Sequence, residues 1–281
     1  MERLKTQPRA RIMPEKPPVS PPVSPPGIPA GRLRNPQSLA LAAVLVLLWQ
    51  ITAMSGLLPA YMLPSPVRVV TAFIADFPLL MRHLRRTLVE ALGGLLLSVA
   101  VSLALAILLD ANRFLKRAVT PLLLLTQTMP AIALAPLLIL WMGYGMAPKI
   151  ALIFLTCFFP LTIGLLGGFD QADGDAVRLL RSLGAKRRQV YRYIKIPQSM
   201  GAFFSGLKIS SSYAIIGAVI AEWLGGDAGL GVYMVRVRRS YSFDKMFAVI
   251  LLTSVLSLLL MKLVTELEKA AMPYKYHKEH E

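Results

Sequence analysis

Acidic residues are scarce in this sequence: 15 Asp and Glu stand against 31 Lys and Arg in 281 residues. Charged residues of both signs reach only 16%, where a soluble domain carries about 25%. Cysteine is nearly absent. Cys157 stands alone in an apolar run, so no internal disulfide can form. The three histidines, His83, His277 and His280, fall at no metal-ligand spacing with one another or with Cys157 and read as solvated surface or tail residues. There is no Gly-x-x-x-x-Gly-Lys-Ser/Thr loop to cradle phosphates, and no cluster of His, Cys and carboxylates at catalytic spacing. The chain is therefore expected to bind no cofactor and to be no enzyme.

What is present is apolar: 55% of residues are hydrophobic, and the mean hydropathy is +0.57. A net charge of +16 suggests nucleic acid, but the basic residues are dispersed between long apolar runs instead of gathered on one module. An integral membrane protein accounts for both numbers. Six runs approach the roughly 20 residues that cross a bilayer, at about 38–57, 89–109, 119–142, 148–168, 206–224 and 246–265. The third holds Pro121, Pro130 and Pro136 and should be kinked or broken, which a membrane helix tolerates beside neighbours or water. The expected fold is all-α with six transmembrane helices.

Three zones follow: a proline-rich tail over 1–37, a membrane domain over 38–270, and a charged tail over 271–281. The Pro17–Pro26 repeat cannot be helical and should stay extended and disordered. Lys and Arg gather on alternate segments, chiefly the N-terminal tail and the 169–205 loop. That loop holds seven of them: Arg178, Arg181, Lys186, Arg187, Arg188, Arg192 and Lys195. The positive-inside rule puts that loop and both termini in the cytoplasm.

The 169–205 loop is longer than a connector needs to be. It reads as two short helices, the first capped by Asp173 or Asp175 and ended by Gly184, the second running from about Lys186 and stopping before Pro197. A basic interfacial hairpin on anionic lipid is one reading. The spacing carries another. Gly184, followed ten residues later by Ile194-Lys195-Ile196-Pro197, resembles the EAA loop of ABC importer permeases: Glu-Ala-Ala, three residues, Gly, nine residues, Ile-x-Leu-Pro. Arg178-Leu179-Leu180 stand here for Glu-Ala-Ala, and Ile196 for Leu. Leu63-Pro64-Ser65-Pro66, Ile220-Ala221-Glu222-Trp223-Leu224-Gly225-Gly226 and Gly229-Leu230-Gly231 are similar to the nitrate/sulfonate/taurine branch of those permeases. The Glu222-Trp223 stretch looks most like its members that carry thiamine-precursor pyrimidines.

The resemblance covers about residues 38–270 and implies a type I importer permease fold. It also implies two separate ATPase subunits that hold the ATP and Mg, a second permease copy in a homodimer, and an extracytoplasmic substrate-binding protein. Leu179, Leu180, Arg181, Leu183, Gly184, Ala185 and Lys186, with Ile194, Ile196 and Pro197, would form the coupling segment that docks on the ATPase. Glu222 and Trp223, with the polar Gln127-Thr128-Met129 on the broken span, are the candidate pathway lining, because ionisable groups in spans are expensive. Glu90 reads as an interfacial carboxylate near Arg86, and Trp49 and Trp141 as interface-belt aromatics. A pyrimidine such as hydroxymethylpyrimidine is the expected substrate, with aliphatic sulfonate, taurine or nitrate as the alternative. An ion-coupled secondary transporter is the alternative of another class, but it would want mid-span charges that are sparse here.

Overall fold

The computed structural model describes residues 36–57, 59 and 61–273, and every element among them is helical. The expectations for the proline-rich repeat and for the tail beyond Pro273 lie outside the described residues. Two units are distinguished, Met1–Leu47 and Leu48–Glu281. In the first, the described residues 36–47 belong to α1 (Pro36–Met54), and all are exposed and mostly apolar.

The second unit holds the rest of α1, then α2 (Pro66–Ala75), α3 (Phe77–Ala111), α4 (Arg113–Thr128), α5 (Ala131–Met142) and α6 (Met146–Asp170). The chain continues through α7 (Gly174–Ser182), α8 (Arg187–Val190), a π-helical turn (Tyr191–Lys195), α9 (Ile196–Gly225), α10 (Leu230–Arg239) and α11 (Phe243–Ala271). Among the described residues, five helical stretches are long and apolar enough to cross a membrane, and the bent pair α4–α5 passes the same test as a sixth when taken together. The break comes where the prolines place it. Met129 and Pro130 are extended and the two halves diverge by 100°, because Pro130 lacks an N–H and pushes its predecessor out of the helical region.

The core forms around α6, packed between α3 and α9. Small residues allow the approach: a Cβ on Gly94 would lie 2.4 Å from Ile153, and one on Gly206 would lie 2.9 Å from the Pro160 carbonyl. Lipid gives helices no hydrophobic reason to associate, so close backbone contact and interhelical hydrogen bonds hold the bundle. Ser98 and Ser102 of α3 donate to the Phe154 and Phe158 carbonyls of α6 at 3.1 and 3.0 Å. On the other side of α6, Ser210 donates to the Cys157 carbonyl at 3.0 Å.

Two sequence expectations are corrected. The second loop helix does not stop before Pro197. Pro197 occupies the first turn of α9, where the missing N–H would have no partner anyway, so the loop helix runs through the π turn into the span. The span expected at 89–109 belongs to a helix that starts at Phe77, three turns earlier, because Arg82, Arg85 and Arg86 lower the hydropathy of that end without lowering its helix propensity.

Candidate functional site

Residues of interest gather at the two ends of α9, which its 30 residues hold about 45 Å apart. At the N-terminal end lies α7. Asp173 caps it, its Oδ1 accepting from the Asp175 and Ala176 N–H groups at 2.8 and 3.3 Å, and its own N–H donates to Gln198 Oε1 at 2.8 Å. Gly184 closes it with φ at +84°, while the Gly184 N–H reaches the Arg181 carbonyl at 2.9 Å and the Ala185 N–H that of Leu180 at 3.1 Å. This paired bonding is the Schellman end, for which glycine is the residue of choice.

Two large apolar side chains project from this short capped helix. Leu179 is 64% exposed and Leu183 76%, and their i,i+4 spacing puts them on one face. Arg181 and Lys186 are exposed beside them, Leu180 and Ala185 half-buried. Ile194 is buried and Ile196 half-buried, whereas Pro197 is exposed. The coupling candidates thus divide: 179–186 face outward, and the Ile-x-Ile part seats the segment on the bundle.

At the C-terminal end of α9 a cavity of about 920 Å³ opens, lined by Arg86, Tyr144, Trp223, Asp227, Arg236 and Arg239 among others. Arg236 and Arg239 show no ion pair among the described residues. Gln127, Thr128 and Met129 are exposed at the α4–α5 break but are not in this cavity wall. Trp141 is exposed, whereas Trp49 donates its indole N–H to the Pro64 carbonyl at 3.1 Å and leans on Phe247.

Glu222 also borders the cavity, yet it is only 1% exposed and its carboxylate is turned into the bundle. Its two oxygens accept from Thr87 Oγ1 and the Gly231 N–H, both at 2.7 Å. Thr87 Oγ1 accepts from the Leu230 N–H at 2.9 Å, and His83 Nδ1 from the Gly229 N–H at 3.0 Å. Three consecutive N–H groups at the start of α10, which no helical carbonyl can satisfy, are capped by side chains of α3 and α9. One turn along α3, Glu90 is completely buried and accepts from Lys149 Nζ of α6 at 2.9 Å and Arg86 Nε at 3.0 Å.

These contacts correct two expectations. His83 is 7% exposed and its Nδ1 is an acceptor, so it is not a solvated histidine. Glu90 does lie beside Arg86, but it is fully buried in the bundle and pairs with Lys149 as well. Sequence reasoning missed Thr87, Lys149 and Asp227 as well. The signal available was the i, i+4, i+7 spacing of His83, Thr87 and Glu90, which marks one polar face on α3.

On the same side, Asp76 accepts from Lys245 Nζ at 2.7 Å and from the Tyr233 hydroxyl at 2.5 Å, tying the turn before α3 to α10 and α11. The Lys245 hydrogen bond, and then that of Tyr233, hold the Asp76 carboxyl below the usual carboxylate range. Burial and the Asp76 carboxylate push the Tyr233 phenol up. A depressed acid stabilises the fold fully above the unfolded value of about 3.9, and that contribution is lost as pH falls through the lower folded value. Asp76→Asn is therefore expected to melt lower than the parent at pH 7 and to lose less on going from about pH 5 to about pH 3. Parallel melting curves across that range would show that the contact contributes nothing.

Residues 97–271 match the family described as the binding-protein-dependent transport system inner membrane component. The chain belongs to this family. It is 35% identical over 234 residues to the formylaminopyrimidine transport permease protein ThiX of Halalkalibacterium halodurans, covering 83% of this chain and 93% of that one. A putative aliphatic sulfonates transport permease protein, SsuC of Bacillus subtilis, is 30% identical over 241 residues, covering 85% and 87%. Among solved structures, the inward-facing MetNI methionine ABC transporter shares the fold with a TM-score of 0.63 at 17% identity, covering 70% of this chain and 98% of that one. This permease is accordingly a multi-pass inner-membrane subunit of an ABC importer, a transport component and not an enzyme.

Proposed function

We propose that this permease forms, as a homodimer, the translocation pathway of an ATP-driven, binding-protein-dependent importer. Two separate ATPase subunits would carry the ATP and Mg and grip α7 from the cytoplasm, the side on which both termini also lie. A binding protein would deliver substrate at the opposite end. The observation that carries this reading is the capped α7 with Leu179 and Leu183 projecting from it. Two apolar side chains on one face of a rigidly capped helix offer an anchor for a groove on a partner protein.

The proposed substrate is a thiamine-precursor pyrimidine of the hydroxymethylpyrimidine kind. Trp223 and Tyr144 in the cavity wall offer faces for a flat ring, and the exposed Asp227 an acceptor for an amino group. Glu222, with both oxygens engaged, acts in this account as the cap that shapes the wall. Arg236 and Arg239 favour the second reading, an aliphatic sulfonate, taurine or nitrate. Uptake into vesicles holding the whole transporter separates the two. Trp223→Ala is expected to raise KM for formylaminopyrimidine about tenfold without lowering the amount of folded protein. Saturable uptake of taurine that survives Trp223→Ala and collapses in Arg236→Gln would favour the anion. Uptake driven by an ion gradient, with this chain alone in the vesicle, would replace both with a secondary transporter.

A further inference from the structure

The α7–α9 segment touches the far end of α3 at one acid. Asp110, the penultimate residue of α3, has a side chain only 7% exposed. Its Oδ2 accepts from the Tyr191 hydroxyl and from Lys195 Nζ, each at 2.5 Å. Both donors stand on the π-helical turn, a form that holds well under 1% of residues and recurs at functional positions. Around this contact, Arg187 donates to the Ala111 carbonyl, the Lys195 ammonium lies 5.4 Å from the Tyr191 ring centre, and that ring packs edge-on against Phe169 of α6. Four residues, Leu183 to Lys186, separate α7 from α8, so the exposed leucines and the two donors to this buried acid belong to one short segment.

We infer that Asp110 is the positioning residue that transmits movement of the α7 segment into α3, and through α3 to the outer cavity. The inference rests on the proposed ATPase coupling. The physical case is that a charge held by two donors inside the bundle cannot slip, because breaking the contact strands a buried ion. A purely apolar contact at the same place could slide by a turn with little loss. The far end of the same α3 carries His83, Thr87 and Glu90, which cap α10 and pair with α6. One rigid helix thus joins that segment to the cavity wall.

The test uses the full permease copurified with its ATPase and read by thiol labelling. Cys157 is fully buried, so label on the permease band, resolved from the ATPase by gel, reports on the cysteine introduced by Ser240→Cys at the cavity-lining end of α10. In this background the labelling rate is expected to change about tenfold between the nucleotide-free and the vanadate-trapped ADP states. With Asp110→Asn added, bound ATPase and its hydrolysis should stay within about twofold, while the labelling change shrinks below about twofold. Tyr191→Phe keeps the ring and the Lys195 pair, with folding checked by the yield of permease bound to the ATPase, and should lose about half of the response. Asp110→Glu should restore part of it. A full labelling change in Asp110→Asn or Tyr191→Phe overturns the inference, as does a loss of bound ATPase and labelling in equal proportion. A parent that binds no ATPase overturns the coupling reading itself, and is distinguished by failing before any substitution at Asp110.

Discussion

Gly229→Ala is expected to lower uptake sharply and to destabilise the folded permease. Gly229 sits at φ +131° and ψ 164°, and a Cβ there would lie 2.1 Å from the Glu222 carboxylate. Two costs combine. The positive φ is worth about 1–3 kcal/mol for a residue with a side chain. Moving the carboxyl group aside breaks its bonds to Thr87 and the Gly231 N–H and leaves two buried polar contacts unmade, each at about 1–3 kcal/mol. The sum is about 3 kcal/mol or more, against a total stability of about 5–15 kcal/mol. Gly143→Ala is the control. It too has a positive φ, +76°, but nothing lies within 4 Å of its would-be Cβ, so only the backbone cost of about 1–3 kcal/mol is expected. Thermal melts of the two purified variants check the difference. Equal melting temperatures would mean that the Glu222 cap contributes nothing to the fold.

Leu183→Asp has the opposite character: it leaves the fold intact and stops transport. Leu183 is 76% exposed and supplies only its backbone to the α7 cap, so the substitution removes no side-chain packing within the chain. On a partner surface it would forfeit about 1.5–3 kcal/mol of apolar burial and place a carboxylate where it has no partner, at a further cost of about 1–3 kcal/mol. At about 1.4 kcal/mol per tenfold, docking weakens by at least about a hundredfold. Uptake should fall to background while yield and melting temperature remain at parental values.

The fold was legible in the sequence to the extent that it depends on local rules. Apolar run length marked the spans, Pro130 marked the break, and Gly184 and Asp173 marked both ends of α7. Pro197 misled because proline reads equally as a stop or as a first-turn residue, and only the continuing span decides between them. The polar interior was not legible. The caps of α10 come from His83 and Thr87, 146 and 143 residues away in sequence, and Lys149 meets Glu90 across 59. Periodicity shows that such residues share a face, but it does not show what the face meets. Glu222 illustrates the point. An acid in a span drew attention to it, yet its partners are Thr87 and the Gly231 N–H, nine residues on, an end that the Gly229-Leu230-Gly231 motif announces only once the turn is built.

If this permease takes its driving force from a separate ATPase held at α7, that ATPase should stay on affinity-tagged permease extracted from membranes, and the amount retained can be compared between the parent and Leu183→Asp. The parent is expected to retain the ATPase in equal numbers of subunits and Leu183→Asp to retain none above background, with both chains equally abundant. Equal retention by both chains would mean that α7 does not hold the ATPase.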